Sequence, residues 1–188
     1  SCAGNPVNTA TGNKYAEEVD IVASGNLSFS RYYNSLGLSG SSQIGSAWNH
    51  NYQRSLFINT ATATAIRPDG KSAYFRLTGF AWVNQQAGGD RLVQIPGNGW
   101  QLITADDTIE TYNTTGRLLA ITSRNNRTQT LSYDIYGRLS VVTGDTGLAL
   151  NFTYDGSSRM QTLTDPTGGI YRYTYDSSGN LTSVTYPD

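Results

Sequence analysis

The sequence predicts an all-β fold: a curved antiparallel ribbon of stacked β-hairpins with an irregular amino-terminal cap or plug. Three observations predict it. Tyrosines recur at Tyr112, Tyr133, Tyr154 and Tyr175, 21 residues apart each time, and self-similarity at a fixed period marks a repeat architecture. The residues leading into those tyrosines alternate, as in Leu150, Phe152, Tyr154 and Tyr171, Tyr173, Tyr175, the period of a strand with one buried face. The composition is that of a sheet, with Gly 20 and Tyr 13 against Met 1 and 14% charged residues.

Each repeat divides into a strand, a turn, a second strand and a second turn. After the tyrosine comes Asp134, Asp155 or Asp176, or Asn113 in the first copy. Four positions after the tyrosine stand Gly116, Gly137 and Gly179. Asp caps a turn through its side chain and Gly supplies a positive φ. In the third copy Ser158 takes the glycine's place, so that turn is expected to shift, onto Gly156. Second strands begin at Arg117, Arg138, Arg159 and Asn180. Asn126, Gly147 and Gly168 each stand fourteen residues after a tyrosine and tolerate the left-handed region needed for the second turn. Two strands of ~6 residues and two short turns fill the period. Pro166 falls in a turn. One hairpin cannot bury its apolar face, so the repeats must stack or curl around something.

The chain divides into three stretches. Residues 111–188 carry the four repeats. Residues 53–110 read as degenerate hairpins of the same kind, with strands between the turns Pro68-Asp69-Gly70, Gly88-Gly89-Asp90 and Gly97-Asn98-Gly99. Residues 1–52 are turn-rich and irregular, with one clear alternating strand at residues 26–33 and a Gly/Ser loop at 37–45. The segment nearest a helical pattern, residues 13–22, has Lys14, Glu17 and Glu18 but little apolar face, so no helix is expected.

The same counts exclude several functions. One Cys excludes an internal disulfide framework and a CxxC zinc site, and one His excludes a metal site or proton relay needing two imidazoles. A net charge of −1 provides no basic face for nucleic acid. Apolar runs are too short for membrane insertion by a helix. No cofactor and no catalytic residue is expected. Asp145-Thr146-Gly147 matches the aspartic-protease triplet, but that chemistry needs a second, closely held Asp. The triplet shares its repeat position with Pro166-Thr167-Gly168 and reads as a turn. The three Tyr-Asp aspartates lie on successive hairpins, whereas calcium needs six to eight converging oxygens, so they read as caps with no metal. His50 lacks a nucleophile signature and an orienting acid, and reads as a packing residue. Glu17-Glu18 and Asp106-Asp107 are adjacent pairs that an extended strand sends to opposite faces. The many Tyr and Trp rings suit either sheet packing or stacking on glycans. Eight of the thirteen tyrosines lie in the repeat region, which favours packing. Cys2 is open between a lipid-bearing cysteine, a half-cystine and a free thiol.

The Tyr-Asp copies resemble the YD repeats of rearrangement-hotspot (Rhs) proteins and their relatives, the insecticidal toxin-complex shells and the animal teneurins. Gly4-Asn5-Pro6-Val7-Asn8, then Thr11-Gly12-Asn13-Lys14-Tyr15, Glu18 and Asp20, resemble the opening segment of bacterial Rhs-type polymorphic toxins. Residues 27–35, which include Arg31 and Tyr33, followed by Gly45 and Trp48-Asn49-His50, resemble the next signature. The resemblance covers essentially the whole chain; the departures are Ser158, Asn113 and Asn180.

That resemblance implies a function. A long ribbon of such repeats winds into a hollow shell enclosing a carboxy-terminal toxin, which an aspartyl self-protease near the shell's end releases. This chain is expected to be an amino-terminal fragment of such a secreted or cell-surface bacterial protein, with no catalysis of its own and a role in interbacterial competition. Its expected partners are the rest of its shell and an enclosed toxin. Two further expectations are self-association through an exposed carboxy-terminal β edge and, as the alternative function, a glycan-binding or adhesion module.

Overall fold

The computed structural model describes residues 12–22, 25–37 and 42–188, with the backbone of 7–8. Gly4, Asn5, Pro6, Thr11 and Cys2 lie outside the described residues. Among the described residues there are eighteen strands and no helix. Four strands form one antiparallel sheet: β1 (Val7–Asn8), β2 (Asn13–Val22), β3 (Ser28–Asn34) and β4 (Trp48–His50), in that order. The amino-terminal cap is thus more regular than its turn-rich sequence suggests. The segment closest to a helical pattern is its longest strand, β2. Its apolar positions fit no helical stripe, and its backbone pairs along most of its length with β3.

The other fourteen strands form one open meander, each antiparallel to the next. The first seven are β5 (Ser55–Ile58), β6 (Thr62–Ile66), β7 (Ser72–Thr78), β8 (Ala81–Asn84), β9 (Arg91–Ile95), β10 (Gly99–Ile103) and β11 (Ile109–Tyr112). The rest are β12 (Leu118–Thr122), β13 (Thr128–Tyr133), β14 (Leu139–Thr143), β15 (Ala149–Tyr154), β16 (Met160–Thr164), β17 (Ile170–Tyr175) and β18 (Leu181–Thr185). The chain is therefore an all-β, curved antiparallel ribbon carrying an amino-terminal sheet.

The curvature has a periodic cause. In every repeat the register slips just before the tyrosine: Thr111 pairs with Ala120 but Tyr112 pairs with Leu118, leaving Leu119 unopposed. Ser140, Gln161 and Thr182 are left over at the same place in the next three repeats. A bulge bends a strand and increases its right-handed twist, and regularly spaced bulges curve a sheet. The bulge also resets the burial pattern. In the second strands the buried residues are three apart, Leu118 and Ile121, Leu139 and Val142, Met160 and Leu163. In β15 and β17 they are two apart.

The ribbon curls far enough to meet itself. The amide of Leu56 in β5 donates to the carbonyl of Gly116 at 2.9 Å, and Ser55 bridges to Arg117. A Cβ on Gly116 would overlap the Leu56 carbonyl, so this position needs glycine for close approach as well as for its φ of 81°.

The predicted turn positions all lie in the left-handed region: Gly137 at 78°, Gly179 at 82°, Asn126 at 59°, Gly147 at 81° and Gly168 at 91°. The expected shift of the third turn onto Gly156 does not occur. Ser158 itself adopts φ 62°, and its amide donates to Asp155 O as that of Gly137 does to Asp134 O. The hydrogen bonds around the turn hold the backbone path and impose the strained φ on serine. The Asp145-Thr146-Gly147 triplet is a turn, with Asp145 paired to Arg127 at 2.8 and 3.2 Å.

The concave face of the ribbon and one face of the amino-terminal sheet share a single apolar core. Phe29 of β3 is fully buried, with its ring centroid 5.7 Å from Phe152 and 6.4 Å from Tyr173. Outside, threonines pair across strands, Thr153 with Thr162 at 2.7 Å and Thr122 with Thr128 at 3.0 Å.

Candidate functional site

Three of the four YD tyrosines fasten their hairpins to the preceding one. The hydroxyls of Tyr133, Tyr154 and Tyr175 donate to the carbonyls of Leu118, Leu139 and Met160 at 2.6, 2.7 and 2.7 Å. An arginine from the preceding repeat lies over each ring: Arg117 over Tyr133 at 5.0 Å, Arg138 over Tyr154 at 4.6 Å, Arg159 over Tyr175 at 4.7 Å. The aspartate positions that arginine. Asp134 Oδ1 accepts the amides of Tyr136 and Arg138 while Oδ2 accepts Arg138 Nε at 2.7 Å. Asp155 does the same for Ser157 and Arg159. Burial works to raise the Asp134 pKa, but the hydrogen bonds from Arg138 outweigh it and hold the carboxyl below the usual range. Burial lifts the Tyr133 pKa to about 12 and raises those of Tyr154 and Tyr175, so all three remain donors at neutral pH. Where the sequence departs from the pattern, the capping survives: Asn113 Oδ1 accepts the amides of Thr115 and Arg117, and Asn180 Nδ2 donates to Asp176. Tyr112 differs from its three counterparts. It is fully buried and donates to Glu110 at 2.6 Å.

Two buried carboxylates fasten distant parts of the chain. Asp20 is the bulge residue of β2 and receives Arg31 Nε and Nη2 at 2.7 and 2.8 Å. It also accepts the hydroxyls of Tyr173 and Tyr186, both at 2.9 Å, which ties the amino-terminal sheet to the end of the ribbon. Glu110 of β11 pairs with Arg54, in the link between the sheets, and with Arg67 beyond β6.

The amino-terminal segment also touches both rims. The carbonyl and side chain of Asn26 bond to Gln129 and the Asp145 amide. On the other rim Gln43 O accepts the Met160 amide, and the Ser46 amide donates to Gly179 O at 3.1 Å. Of the family-like positions, Asn13 accepts the Ser35 hydroxyl and the Leu36 amide. Tyr33 packs on Trp48 at 5.3 Å, and Arg31 lies over the same Trp48 ring at 4.9 Å. Gly12 forms a turn at φ 70°. The other two tryptophans, Trp82 and Trp100, pack edge to face at 5.3 Å.

His50 is buried and stacks on Phe29 at 5.3 Å. Its Nδ1 accepts the Tyr52 amide, and its Nε2 has no partner. Burial lowers its pKa to about 3, so it is neutral at physiological pH. Among the described residues no three His, Cys, Asp or Glu side chains converge in a metal-binding group. Sequence reasoning missed Glu110 and the pairing of Asp20 with Tyr173 and Tyr186; the signal available was an acidic residue at an otherwise core-facing strand position.

A hairpin repeat of this geometry, coupled tyrosine to carbonyl and wrapped on an amino-terminal sheet, defines a YD-repeat shell protein. The family model described as Teneurin YD-shell matches residues 82–188, more than half of the sequence, and the chain belongs to that family. A second model, a domain of unknown function (DUF6531), matches residues 4–75. No curated protein matches. Similar solved structures include a crystal structure of TcdB2-TccC3-Cdc42, at 13% identity and a TM-score of 0.36 over 94% of this chain. A Photorhabdus luminescens Tc holotoxin pore carrying a TccC3 mutation is similar at 14% identity and a TM-score of 0.37, also over 94% of this chain. The chain spans 10% of the length of each.

Proposed function

We propose that this chain is a non-catalytic segment of a bacterial Rhs/YD-repeat shell, acting outside the producing cell in interbacterial competition. In the whole protein the shell encloses a carboxy-terminal toxin, and the amino-terminal sheet is the plug that seats on the ribbon's inner face. One observation carries this reading: the plug and the concave face share a single core and are tied by Asp20 to Tyr173 and Tyr186. The capping role of Asp134 and Asp155 and the buried, neutral state of His50 support a structural role over a catalytic one. The free edge of β18 is where the rest of the shell pairs. The carbonyls of Leu118, Leu139 and Met160 each accept a tyrosine from the following hairpin, and Leu181 occupies the same repeat position.

The test is protease protection of a carboxy-terminal cargo in the product of the whole reading frame. The expected result is a cargo resistant to added protease, and cleaved in a Phe29→Asp variant whose plug no longer seats. A cargo cut equally fast in both would overturn the shell reading.

A further inference from the structure

A cavity of ≈ 510 Å³ opens where the link between the two sheets crosses the turn after β11, a size typical of small-ligand sites. Its apolar walls include Phe57, Ile66 and Leu139, and the Tyr52 and Tyr133 rings line it as well. Its polar lining is rich in donors. Arg54, Arg67 and Arg117 contribute, and the first two share the single carboxylate of Glu110.

Arg117 is the unusual member. The equivalent Arg138 and Arg159 are each held by the aspartate of their own turn. In Arg117's turn that position is Asn113, which caps the backbone but carries no charge. Among the described residues no carboxylate pairs with Arg117, which lies over Tyr133. His50 also lines the cavity, and its buried Nε2 has no partner. With Nδ1 accepting the Tyr52 amide, Nε2 carries the proton, and a buried N–H left unmade is costly.

We propose that this cavity binds a carboxylate carried on an apolar body, its charge met by the Arg117 guanidinium and its body lying against Phe57, Ile66 and Leu139. Three guanidinium groups against one carboxylate favour an anion. A guanidinium fork matches a carboxylate geometrically, and the apolar walls favour an organic acid over a fully hydrated inorganic anion. The source is either a free aryl or alkyl acid or an acidic side chain beside an aromatic one in a peptide. The site is independent of the shell reading, because it rests on the repeat's one uncharged cap.

The test is titration of the chain with 3-phenylpropionate, its neutral amide, and an acetylated Phe-Asp dipeptide amide. Binding is followed by calorimetry and by the His50 Nε2–H and Arg117 Nε–H signals in ¹⁵N–¹H spectra. Saturable binding of a carboxylate probe is expected, with the amide at least tenfold weaker. Binding of the free acid alone identifies a small-molecule site, and binding of the dipeptide alone identifies a peptide site. Asn113→Asp, which restores the usual cap and gives Arg117 a partner, should weaken binding at least fivefold without lowering Tm. Arg117→Gln should weaken it at least tenfold. Equal affinity for acid and amide, no saturable binding of either acid, or an Asn113→Asp protein that binds as well as the parent would each overturn the proposal.

Discussion

Acidification should destabilise this protein through His50. The imidazole is buried against Phe29, and burial lowers its folded pKa to about 3. In the unfolded chain it titrates near ~6.5. The unfolded state therefore binds the proton first, and the contribution of neutral His50 is present above pH ~6.5 and is lost as pH falls toward the folded value. At ~1.4 kcal/mol per unit, lowering the pH from 7 to 4.5 should cost ~2.5 kcal/mol. The assay is urea unfolding at both pH values for the parent and for His50→Phe, which keeps a ring in the stack and removes the titrating group. The parent should lose ~2.5 kcal/mol more than the variant over that interval. Parallel losses in the two proteins, or a His50 Cε1 proton resonance that titrates near 6.5, would refute the reasoning.

Three further perturbations test the ribbon. Gly179→Ala introduces a side chain at φ 82° into open space and should cost ~1–2 kcal/mol. Gly116→Ala, at almost the same φ, must also displace the Leu56 carbonyl and should cost ~2 kcal/mol more in urea unfolding; equal costs would mean the seam between β5 and the later turn contributes nothing. Ser158→Gly relieves a left-handed serine and should raise stability by ~1 kcal/mol, read as an upward shift of Tm. Tyr154→Phe removes the bond to Leu139 O and should cost ~1 kcal/mol, whereas Tyr154→Ala should cost ~3 kcal/mol or more. An alanine loss below ~0.5 kcal/mol by chemical denaturation would mean the ring does no packing.

The ribbon was legible because its signals are local and repeated. A tyrosine every 21 residues, a cap beside it and a left-handed position four residues on can all be read without knowing the fold. The alternation in β15 and β17 could be read directly. The spacing of buried residues in β12, β14 and β16 could not, because a bulge residue shifts it from two to three and the bulge exists only relative to the partner strand. The amino-terminal sheet was harder for the same reason. β2 follows no simple alternation, since Asp20 sits at a bulge and turns its carboxylate inward to Arg31 and two tyrosines more than 150 residues away. The long-range partners of Glu110 and the contact between Gly116 and Leu56 depend on how far the ribbon curls, which no single repeat specifies. Ser158 shows the converse: a residue type with the wrong local preference holds its turn because the surrounding hydrogen bonds leave it no other path.

The coupling between repeats has a direction. Each tyrosine needs a carbonyl supplied by the hairpin before it, and each arginine waits for a ring supplied by the hairpin after it. A chain emerging amino-terminus first therefore presents each new repeat hairpin with a carbonyl and an arginine already in place, whereas the ties from Asp20 to Tyr173 and Tyr186 close only once the last hairpin is made. Each of these tyrosines stands 15 residues after its acceptor. Gain or loss of a whole 21-residue block therefore leaves every tyrosine opposite an acceptor, whereas an indel inside one such interval disturbs that fastening and leaves those downstream, whose own spacing is unchanged, intact.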